Sequence, residues 1–504
     1  MELEAQVESA TDSPVSAVGT GAGRGVRFPA VDGRRSTSAT GRAILADAAR
    51  ELDQSLAQRV VSCRDWRKQY APLIRELTAA SLGAGDRVLA AARAGLESAG
   101  SRLTFVDGER EVSLKDAIAE VAPAYELATG TIHGTATPVR ELRVPYGGRM
   151  LSGAELEGQL ERWVQSGSVE PSFASAIRTV AEHPDWLALP GRTVALFGAG
   201  AEIGPLEPLS KWGAEVLALD LPEPRIWERI ATVARAGAGT VRLPLASDGA
   251  QGVDLLVELP ETLAWLRRGA GGGELVLGMY AYGDGGDHVR LSGAFDVLAT
   301  ELLADGEAQA LAYLATPTDA FIVAEDAARQ ARAAYAARRL RRALQAPAQL
   351  LSAGRLYRPA YADGAPVADA LVIQQGPNYA LAKRLQRWRG VVAESDGRRV
   401  SFNVAPATLT RSVTKNRILA AAYSGAHHFG IEIFAPETTR TLMAALLVHD
   451  LNTPAPERAH PEQLFSDGAA HGGLWRAAYE PGSALPLAAV AGLPSVLIGR
   501  GPRS

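Results

Sequence analysis

The sequence predicts an α/β protein in which a doubly wound parallel sheet follows a mostly helical N-terminal domain. Two observations predict this fold class. From about residue 191, short apolar runs alternate with helical stretches, which is the pattern of a parallel sheet covered by helices on both faces. Residues 43 to about 121 instead repeat apolar side chains three and four positions apart, as amphipathic helices do.

The composition is that of a globular protein and excludes several classes of function. The 504 residues are 47% hydrophobic and 21% charged, with a formal net charge of -4, so a nucleic-acid-binding surface is not expected. The length predicts two or three domains. Cys63 is the single cysteine, which excludes an intrachain disulfide, and the eight histidines lack metal-ligand spacing, so no metal site is predicted.

The ends of the chain bear on its location. The acidic, polar start "MELEAQVESATDSPVS" does not resemble a secretory signal, and with a single cysteine it favours the cytoplasm. The segments "LMAALLVHDL" and "LPLAAVAGLPSVLIG" are shorter than the roughly 20 apolar residues that span a bilayer. We expect both to pack in the core, without stable membrane insertion, although the second could rest on a membrane surface.

Four regions are predicted along the chain. Residues 1–40 lack periodic apolar positions and are expected to form a disordered tail. Residues 41–190 form the helical domain and a linker, residues 191–452 form a Rossmann-like sheet domain, and residues 453–504 form a C-terminal extension. The predicted strands of the sheet domain are "TVALFGA", "EVLALDL", "TVRLPL", "DLLVEL", "ELVLGMYAY", "QALAYLATP", "DALVIQQ" and "VSFNVAP".

The segment "VALFGAGAEIGPLEPLSKWGAEVLALDL" predicts a nucleotide-binding loop. Gly198, Gly200 and Gly204 follow a strand and precede a helix, so the backbone, including Ile203, can approach a pyrophosphate at the helix start. Asp220 ends the next strand, 22 residues after Gly198, where a carboxylate accepts ribose hydroxyls and repels a 2'-phosphate. NAD is therefore favoured over NADP, although S-adenosylmethionine would suit the same pattern.

Two later loops follow strands and are expected to shape the substrate pocket, because ligands bind beyond the carboxyl ends of parallel strands. The first follows "ELVLGMYAY" and supplies a group of polar side chains: Tyr282, Asp287, His288, Arg290 and Ser292. A histidine beside an aspartate and an arginine suits carboxylate binding or proton transfer, and the alternative is a polar turn before a helix. In the second, Thr316 and Thr318 are predicted to contact a nicotinamide or substrate, or to cap a helix.

Tyr379 and Lys383 are four residues apart in "ALVIQQGPNYALAKRLQRW", so on a helix they share one face. An ammonium group near a phenol lowers the pKa of the phenol, which makes a tyrosine usable as a proton donor beside a hydride acceptor. The pair follows one predicted strand and precedes "GRRVSFNVAPATLTRSV", a strand that ends in a proline turn. A helix opened by Pro-Glu comes next, in "GIEIFAPETTRTLMAALLVHDL".

This succession of features resembles the short-chain dehydrogenase/reductase superfamily over roughly residues 191–452. The resemblance implies phosphate binding at Gly198 and Gly204, ribose binding at Asp220, and catalysis by Tyr379 with Lys383. The family's serine, at the end of the strand before the tyrosine, has no counterpart in "VIQQGPNY", where Gln374 or Gln375 would stand. Glu202 also replaces a loop glycine of the family, and a negative charge there opposes pyrophosphate binding.

Three hypotheses follow from the sequence. The first is an oxidoreductase that transfers hydride between NAD and a carbonyl or hydroxyl carbon of a small molecule, with Tyr379, Lys383 and Gln375 as the catalytic residues. The second is a dehydrogenase-like nucleotide-binding or assembly protein without turnover, which the missing serine and Glu202 favour. The third is an S-adenosylmethionine-dependent methyltransferase. The resemblance leaves homo-oligomerisation open, because family members often dimerise through the helices beside the sheet.

Overall fold

The computed structural model describes residues 23–269, 273–372 and 375–497. Sixteen strands lie in these ranges: β1 Gly25–Arg27, β2 Ala30–Val31, β3 Arg34–Arg35, β4 Thr104–Asp107, β5 Arg110–Ser113, β6 Ala128–His133, β7 Val144–Tyr146, β8 Arg149–Leu151, β9 Arg192–Phe197, β10 Glu215–Leu219, β11 Thr240–Leu245, β12 Glu274–Met279, β13 Ala308–Ala315, β14 Ala320–Ile322, β15 Val367–Asp369 and β16 Arg399–Val404.

Nineteen α-helices accompany the strands in the same ranges. Those before β12 are α1 Thr37–Leu52, α2 Gln54–Ser62, α3 Trp66–Ser81, α4 Asp86–Arg102, α5 Ala117–Glu120, α6 Gly153–Ser166, α7 Pro171–Glu182, α8 Leu206–Trp212, α9 Pro224–Ala236 and α10 Leu259–Gly269. Those after β12 are α11 Gly286–Ala304, α12 Glu325–Ala337, α13 Arg339–Leu351, α14 Gly376–Ser395, α15 Arg411–Lys415, α16 Arg417–Gly425, α17 Pro436–Asn452, α18 Gln463–Ser466 and α19 Pro481–Leu497.

The centre of the molecule is a seven-stranded sheet in the order β16-β13-β12-β9-β10-β11-β6. Six strands are parallel, and β6 pairs with β11 antiparallel at one edge. The predicted α/β class with a mostly parallel sheet is therefore confirmed. If the parallel strands are numbered from β9 in chain order, they lie side by side in the order 3-2-1-4-5-6. The chain first adds strands on one side of β9 and then, from β12, on the other side, so the strand order switches between β9 and β12.

Alternate residues of the parallel strands bury their side chains on opposite faces of the sheet, as the pleat requires. In β9, Ala195 and Phe197 belong to one hydrophobic core, whereas Val194 and Leu196 belong to the other. The first core contains residues of α10, α11 and α14, and the second contains residues of α7, α9 and α17. Helices thus cover both faces of the sheet, and the fold is doubly wound.

The N-terminal helices pack on the sheet region rather than forming a separate core. Residues of α1 to α4 share the first hydrophobic core with α14. The contact with α14 is close, because a Cβ at Gly95 would lie 2.3 Å from the Trp388 ring. Since β6 also extends the central sheet, the predicted boundary at residue 190 does not separate two packing units.

The predicted tail also differs from the structure where the structure describes it. Residues 25–27 form β1, which pairs with β4, and α1 begins at Thr37 with Ser36 accepting the N–H of Ala39. Residues 1–22 of that prediction lie outside the described residues. The predicted extension, residues 453–504, carries α18 and α19 in its described part.

Two of the eight predicted strands are absent from the central sheet. The run "DLLVEL" is a turn before α10, in which Leu255 and Leu256 are buried while the carbonyl of Leu256 accepts the N–H of Val26. The run "DALVIQQ" is irregular over residues 370–372, and residues 373 and 374 lie outside the described range. Both runs bury apolar side chains without pairing in the central sheet. Apolar periodicity alone does not distinguish such a buried run from a buried strand. Among the described residues, no helix is both long enough and apolar enough to cross a bilayer.

Candidate functional site

The candidate site lies where the strand order reverses, at the carboxyl ends of β9, β12 and β13. The loops after β9 and β12 touch each other here, since a Cβ at Gly198 would lie 2.5 Å from the Cα of Ala281. Gly198 also has a φ of +82°, which favours glycine. Packing alone therefore accounts for Gly198, and the glycine pattern by itself does not argue for a nucleotide.

The glycine loop satisfies most of its own N–H groups. Five of them donate to acceptors within the loop or at the end of β10, namely those of Gly198, Ala199, Gly200, Ala201 and Gly204. The N–H groups of Glu202 and Ile203 donate to no acceptor in the described part of the chain. Helix α8 adds few further donors, because Pro205 and Pro208 in its first turn lack an N–H.

Asp220 is held against the glycine loop by two backbone hydrogen bonds. Its Oδ2 accepts the N–H of Gly200 at 2.8 Å, and its Oδ1 accepts the N–H of Leu221 at 2.9 Å. Burial raises the pKa of Asp220 above its usual range, although these two hydrogen bonds oppose the shift. An ionised carboxylate has about four acceptor positions, so ribose hydroxyls would share oxygens that are already engaged.

A cavity of about 620 Å³ lies beside the glycine loop, between α9 and the start of α17. It carries four arginines, Arg225, Arg229, Arg411 and Arg440, and four glutamates, Glu202, Glu207, Glu228 and Glu437. The carboxylate of Glu202 accepts the N–H of Arg411 at 2.9 Å. The charge of Glu202 is therefore directed toward the start of α15, where Arg411 partly offsets it.

Tyr379 lies in the first turn of α14 and joins a chain of hydrogen bonds. Its hydroxyl is 3.0 Å from the Thr316 Oγ1, and the Thr316 Oγ1 is 2.9 Å from the Thr318 Oγ1. Gln375 donates to the Thr318 Oγ1 at 2.9 Å. Four of the predicted site residues thus form one continuous network.

Thr316 stands where the sequence analysis found no serine. It directly follows β13, which is the sheet strand that precedes α14 along the chain. We took "DALVIQQ" as that strand and therefore placed Gln374 or Gln375 in the serine position. Gln374 lies outside the described residues, and Gln375 is the N-cap of α14. The sequence feature that could have identified this position is the pair Thr316 and Thr318, which follows the apolar run "QALAYLA".

Lys383 lies one turn after Tyr379 but makes its hydrogen bonds elsewhere. Its Nζ donates to the Leu314 carbonyl and to the Gln386 Oε1, both at 3.0 Å, and lies 6.0 Å from the centre of the Tyr379 ring. Burial lowers the pKa of Lys383 to about 8. Gln386, which the sequence analysis did not select, also donates to the Ser292 Oγ at 3.1 Å.

The expectation that Lys383 lowers the pKa of Tyr379 toward neutrality is wrong for this arrangement. Burial raises the pKa of Tyr379 well above its ordinary value, and the hydrogen bond with Thr316 only partly opposes this shift. The phenol therefore stays protonated at neutral pH and is a hydrogen-bond donor rather than a base.

Two predicted pocket residues lie beside Tyr379, and one of them, His288, stacks on its ring. The His288 ring lies 5.5 Å from the Tyr379 ring at an interplanar angle of 19°, and the Tyr282 ring, with its side chain 63% exposed, lies 5.0 Å from His288. His288 is 1% exposed, and its Nδ1 accepts the N–H of Gly283 at 3.1 Å. Its buried Nε2 has no hydrogen-bond partner among the described residues.

Asp287 and Arg290 point away from this cluster. Arg290 donates to the carbonyl of Val26 at 2.8 Å and pairs with Asp287, so both side chains fasten α11 to β1. The predicted roles of these two residues in a substrate pocket are not supported by the geometry. Residues 284–290 are consecutive in the loop and helix, but the helix turns their side chains in different directions.

Comparison with models of protein families gave no match, and a search of curated proteins found no similar sequence. Within the described ranges, no three His, Cys, Asp or Glu side chains are grouped so that they could hold a metal ion. The site is therefore characterised by its geometry alone.

Proposed function

We propose that the protein is an NAD-dependent oxidoreductase that transfers hydride to or from a carbonyl or hydroxyl carbon of a small molecule, with Tyr379 as the proton donor. The observation that carries the proposal is the 3.0 Å contact between the Thr316 Oγ1 and the Tyr379 hydroxyl, at the carboxyl end of β13. It supplies the hydroxyl pair that the resemblance to short-chain dehydrogenases requires and the sequence alone did not show.

The topology supports the same proposal. The order 3-2-1-4-5-6 is that of sheets that bind dinucleotides where the order reverses. The strand β13 is the fifth of this series, and α14 carries Tyr379 and Lys383 between β13 and β16. The segment with α12, α13, β14 and β15 is an insertion between β13 and α14, which explains the long interval between Gly198 and Tyr379.

The glycine loop can hold a dinucleotide, but it offers few free backbone N–H groups for this purpose. The free N–H groups of Glu202 and Ile203 would receive one phosphate, and Asp220 would accept a ribose hydroxyl, so NAD is favoured over NADP. The cofactor, when bound, supplies the hydride acceptor or donor.

The chain's own groups perform the proton transfer. The Tyr379 phenol, protonated at neutral pH, donates to the oxygen of a carbonyl substrate and releases its proton as that oxygen gains charge. The hydroxyls of Thr316 and Thr318, both partly exposed, then pass a proton from solvent water to the phenolate.

Titration of the protein with NADH, NADPH and S-adenosylmethionine, followed by nicotinamide fluorescence and thermal shift, tests the cofactor assignment. A panel of carbonyl substrates then tests turnover. We expect Tyr379→Phe to lower kcat about 100-fold or more, and Thr316→Val to lower it about tenfold. Tyr361→Phe is the matched control, because it removes a buried phenol bonded to the Trp475 carbonyl outside the site.

A second candidate function has its own support. The raised pKa of Tyr379, which opposes release of its proton, favours a dehydrogenase-like protein that binds a nucleotide without turnover. Binding of NADH with no turnover across the panel would favour this candidate. Turnover that survives Tyr379→Phe would contradict the first, and binding of S-adenosylmethionine alone would favour a methyltransferase.

A further inference from the structure

The last described helix, α19, packs on α16 with the two backbones in direct contact. A Cβ at Gly425 would lie 2.0 Å from the Ala488 carbonyl oxygen, and a Cβ at Gly492 would lie 1.9 Å from the Ala421 oxygen. Gly425 lies against Ala488 and Gly492 lies against Ala421, so the two helices are antiparallel. We call α15, α16 and α19 together the C-terminal helical face.

The outer side of this face is apolar. Helix α19 has 17 residues and none of them is charged. Val490 is 66% exposed, Leu493 is 46% exposed, and Ile418 of α16 is 56% exposed. Eleven large hydrophobic side chains are exposed in the described part of the chain, and three of them occur on this one helix pair.

The charged side chains on the face itself are positive, and the nearest described carboxylate at the start of α15 is that of Glu202, beside Arg411. Residues 411–430 and 481–497 contain no aspartate or glutamate, while Arg411, Lys415 and Arg417 are exposed on α15 and α16. Lys415 and Arg417 form no ion pair with any described residue. At the other end of the face, Arg338 and His428 line a cavity of about 340 Å³ together with Val490.

We propose that the C-terminal helical face docks on an anionic phospholipid bilayer and lies in its interface. Exposed apolar side chains flanked by unpaired cations are the features by which helices bind the headgroup region, with the cations attracted to anionic lipids. A second copy of the chain is a poorer occupant, because a two-fold interface would bring the same cations of both copies together. We place the docking in the interface, since no described helix is both long enough and apolar enough to cross a bilayer.

Sedimentation with vesicles tests the proposal on the full chain. We expect binding to vesicles of phosphatidylcholine mixed with phosphatidylglycerol, weak binding to phosphatidylcholine alone, and release by added NaCl. The double variant Val490→Glu, Leu493→Glu should abolish binding. The control variant Val31→Glu, Val61→Glu changes residues of similar exposure, 64% and 51%, outside the face and should bind as the unchanged protein does.

Charge reversal at Lys415 and Arg417 should weaken binding at least about fivefold for each residue changed, the effect of one cation near an anionic surface. A thermal unfolding midpoint equal to that of the unchanged protein shows that a variant is folded. The proposal is overturned if the unchanged protein does not sediment with anionic vesicles, or if the Val490 and Leu493 variant binds equally well. It is also overturned if that variant converts a dimer to a monomer and vesicles bind neither form. NADH titration is independent of all these outcomes, so the proposed enzymatic function is tested separately.

Discussion

Two buried histidines in this protein have similar surroundings and differ mainly in the hydrogen bonding of Nε2. His288 and His471 are 1% and 0% exposed, and the Nδ1 of each accepts a backbone N–H at 3.1 Å, from Gly283 and Gly473. Each ring stacks on an aromatic ring, His288 on Tyr379 and His471 on Trp475. The Nε2 of His471 lies 2.8 Å from the Glu170 Oε1, whereas the Nε2 of His288 has no partner.

The difference separates a structural histidine from one at a candidate ligand site. Because Nδ1 accepts a hydrogen bond in both residues, the proton of the neutral ring is on Nε2, a donor that needs an acceptor. Glu170 satisfies His471 inside the fold and also binds Arg476 at 2.6 Å. An unsatisfied buried donor costs stability, so its presence beside Tyr379 is consistent with an acceptor supplied by a ligand.

The largest expected effect on stability comes from removing Glu170, the carboxylate that accepts hydrogen bonds from His471 and Arg476. We expect Glu170→Ala to lower the free energy of unfolding by about 3–5 kcal/mol, because it leaves His471 buried without its carboxylate and leaves Arg476 paired only with the half-exposed Asp326. Urea unfolding of the two proteins measures the change. The control is Glu157→Ala, whose ion pair with Arg178 is 42% and 37% exposed, and which should cost less than about 1 kcal/mol. Equal losses in both variants would contradict the structural role.

The next effect compares the two histidines directly. His471→Phe should lower the free energy of unfolding by about 1–3 kcal/mol, because it removes a buried hydrogen bond to the Glu170 Oε1, which then keeps only the Arg476 Nε as a donor. His288→Phe keeps the stacking on Tyr379 and removes the unsatisfied donor, but it also removes the acceptor of the Gly283 N–H, so we expect it to lower the free energy of unfolding by no more than about 1 kcal/mol at neutral pH. Urea unfolding of the two single variants provides the measurement, and similar losses would show that His288 is satisfied in a way the structure does not reveal.

The smallest effect is a pH dependence at His288. Burial, and then the charge of Lys383, lowers the pKa of His288 well below 6.5. The unfolded chain therefore binds a proton below about pH 6.5 that the folded chain does not, so stability falls with falling pH by at most about 1.4 kcal/mol per pH unit. In His288→Phe this contribution is absent, and its unfolding free energy between pH 7 and pH 5 should fall less steeply. Parallel curves for the two proteins would contradict the shift.

The sequence predicted the sheet well where local pattern decides the structure. Six apolar runs became the six parallel strands, and α17 begins at Pro436 as the Pro-Glu start predicted. The run "DLLVEL" was wrongly predicted as a strand, because contacts with β1, more than 200 residues away in the chain, bury it instead. Periodicity reports burial, but it does not report which partner supplies the contact.

The candidate site was predictable in its residues but not in its connections. Tyr379, Thr316, Thr318 and Gln375 were all selected, yet the role of Thr316 depends on a hydrogen bond across an insertion of some 60 residues. The raised pKa of Tyr379 follows from burial by elements distant in sequence, and spacing on one helix did not reveal it. The unpartnered His288 Nε2 is likewise a property of the assembled core.

The bare contact between α16 and α19 also has a mechanical meaning. No side chain separates the two backbones at Gly425 and Gly492, so a side chain added at either position would have to push the two helices apart. The attachment of the last described helix to the rest of the fold therefore depends on two glycines, and alanine at either position would weaken it.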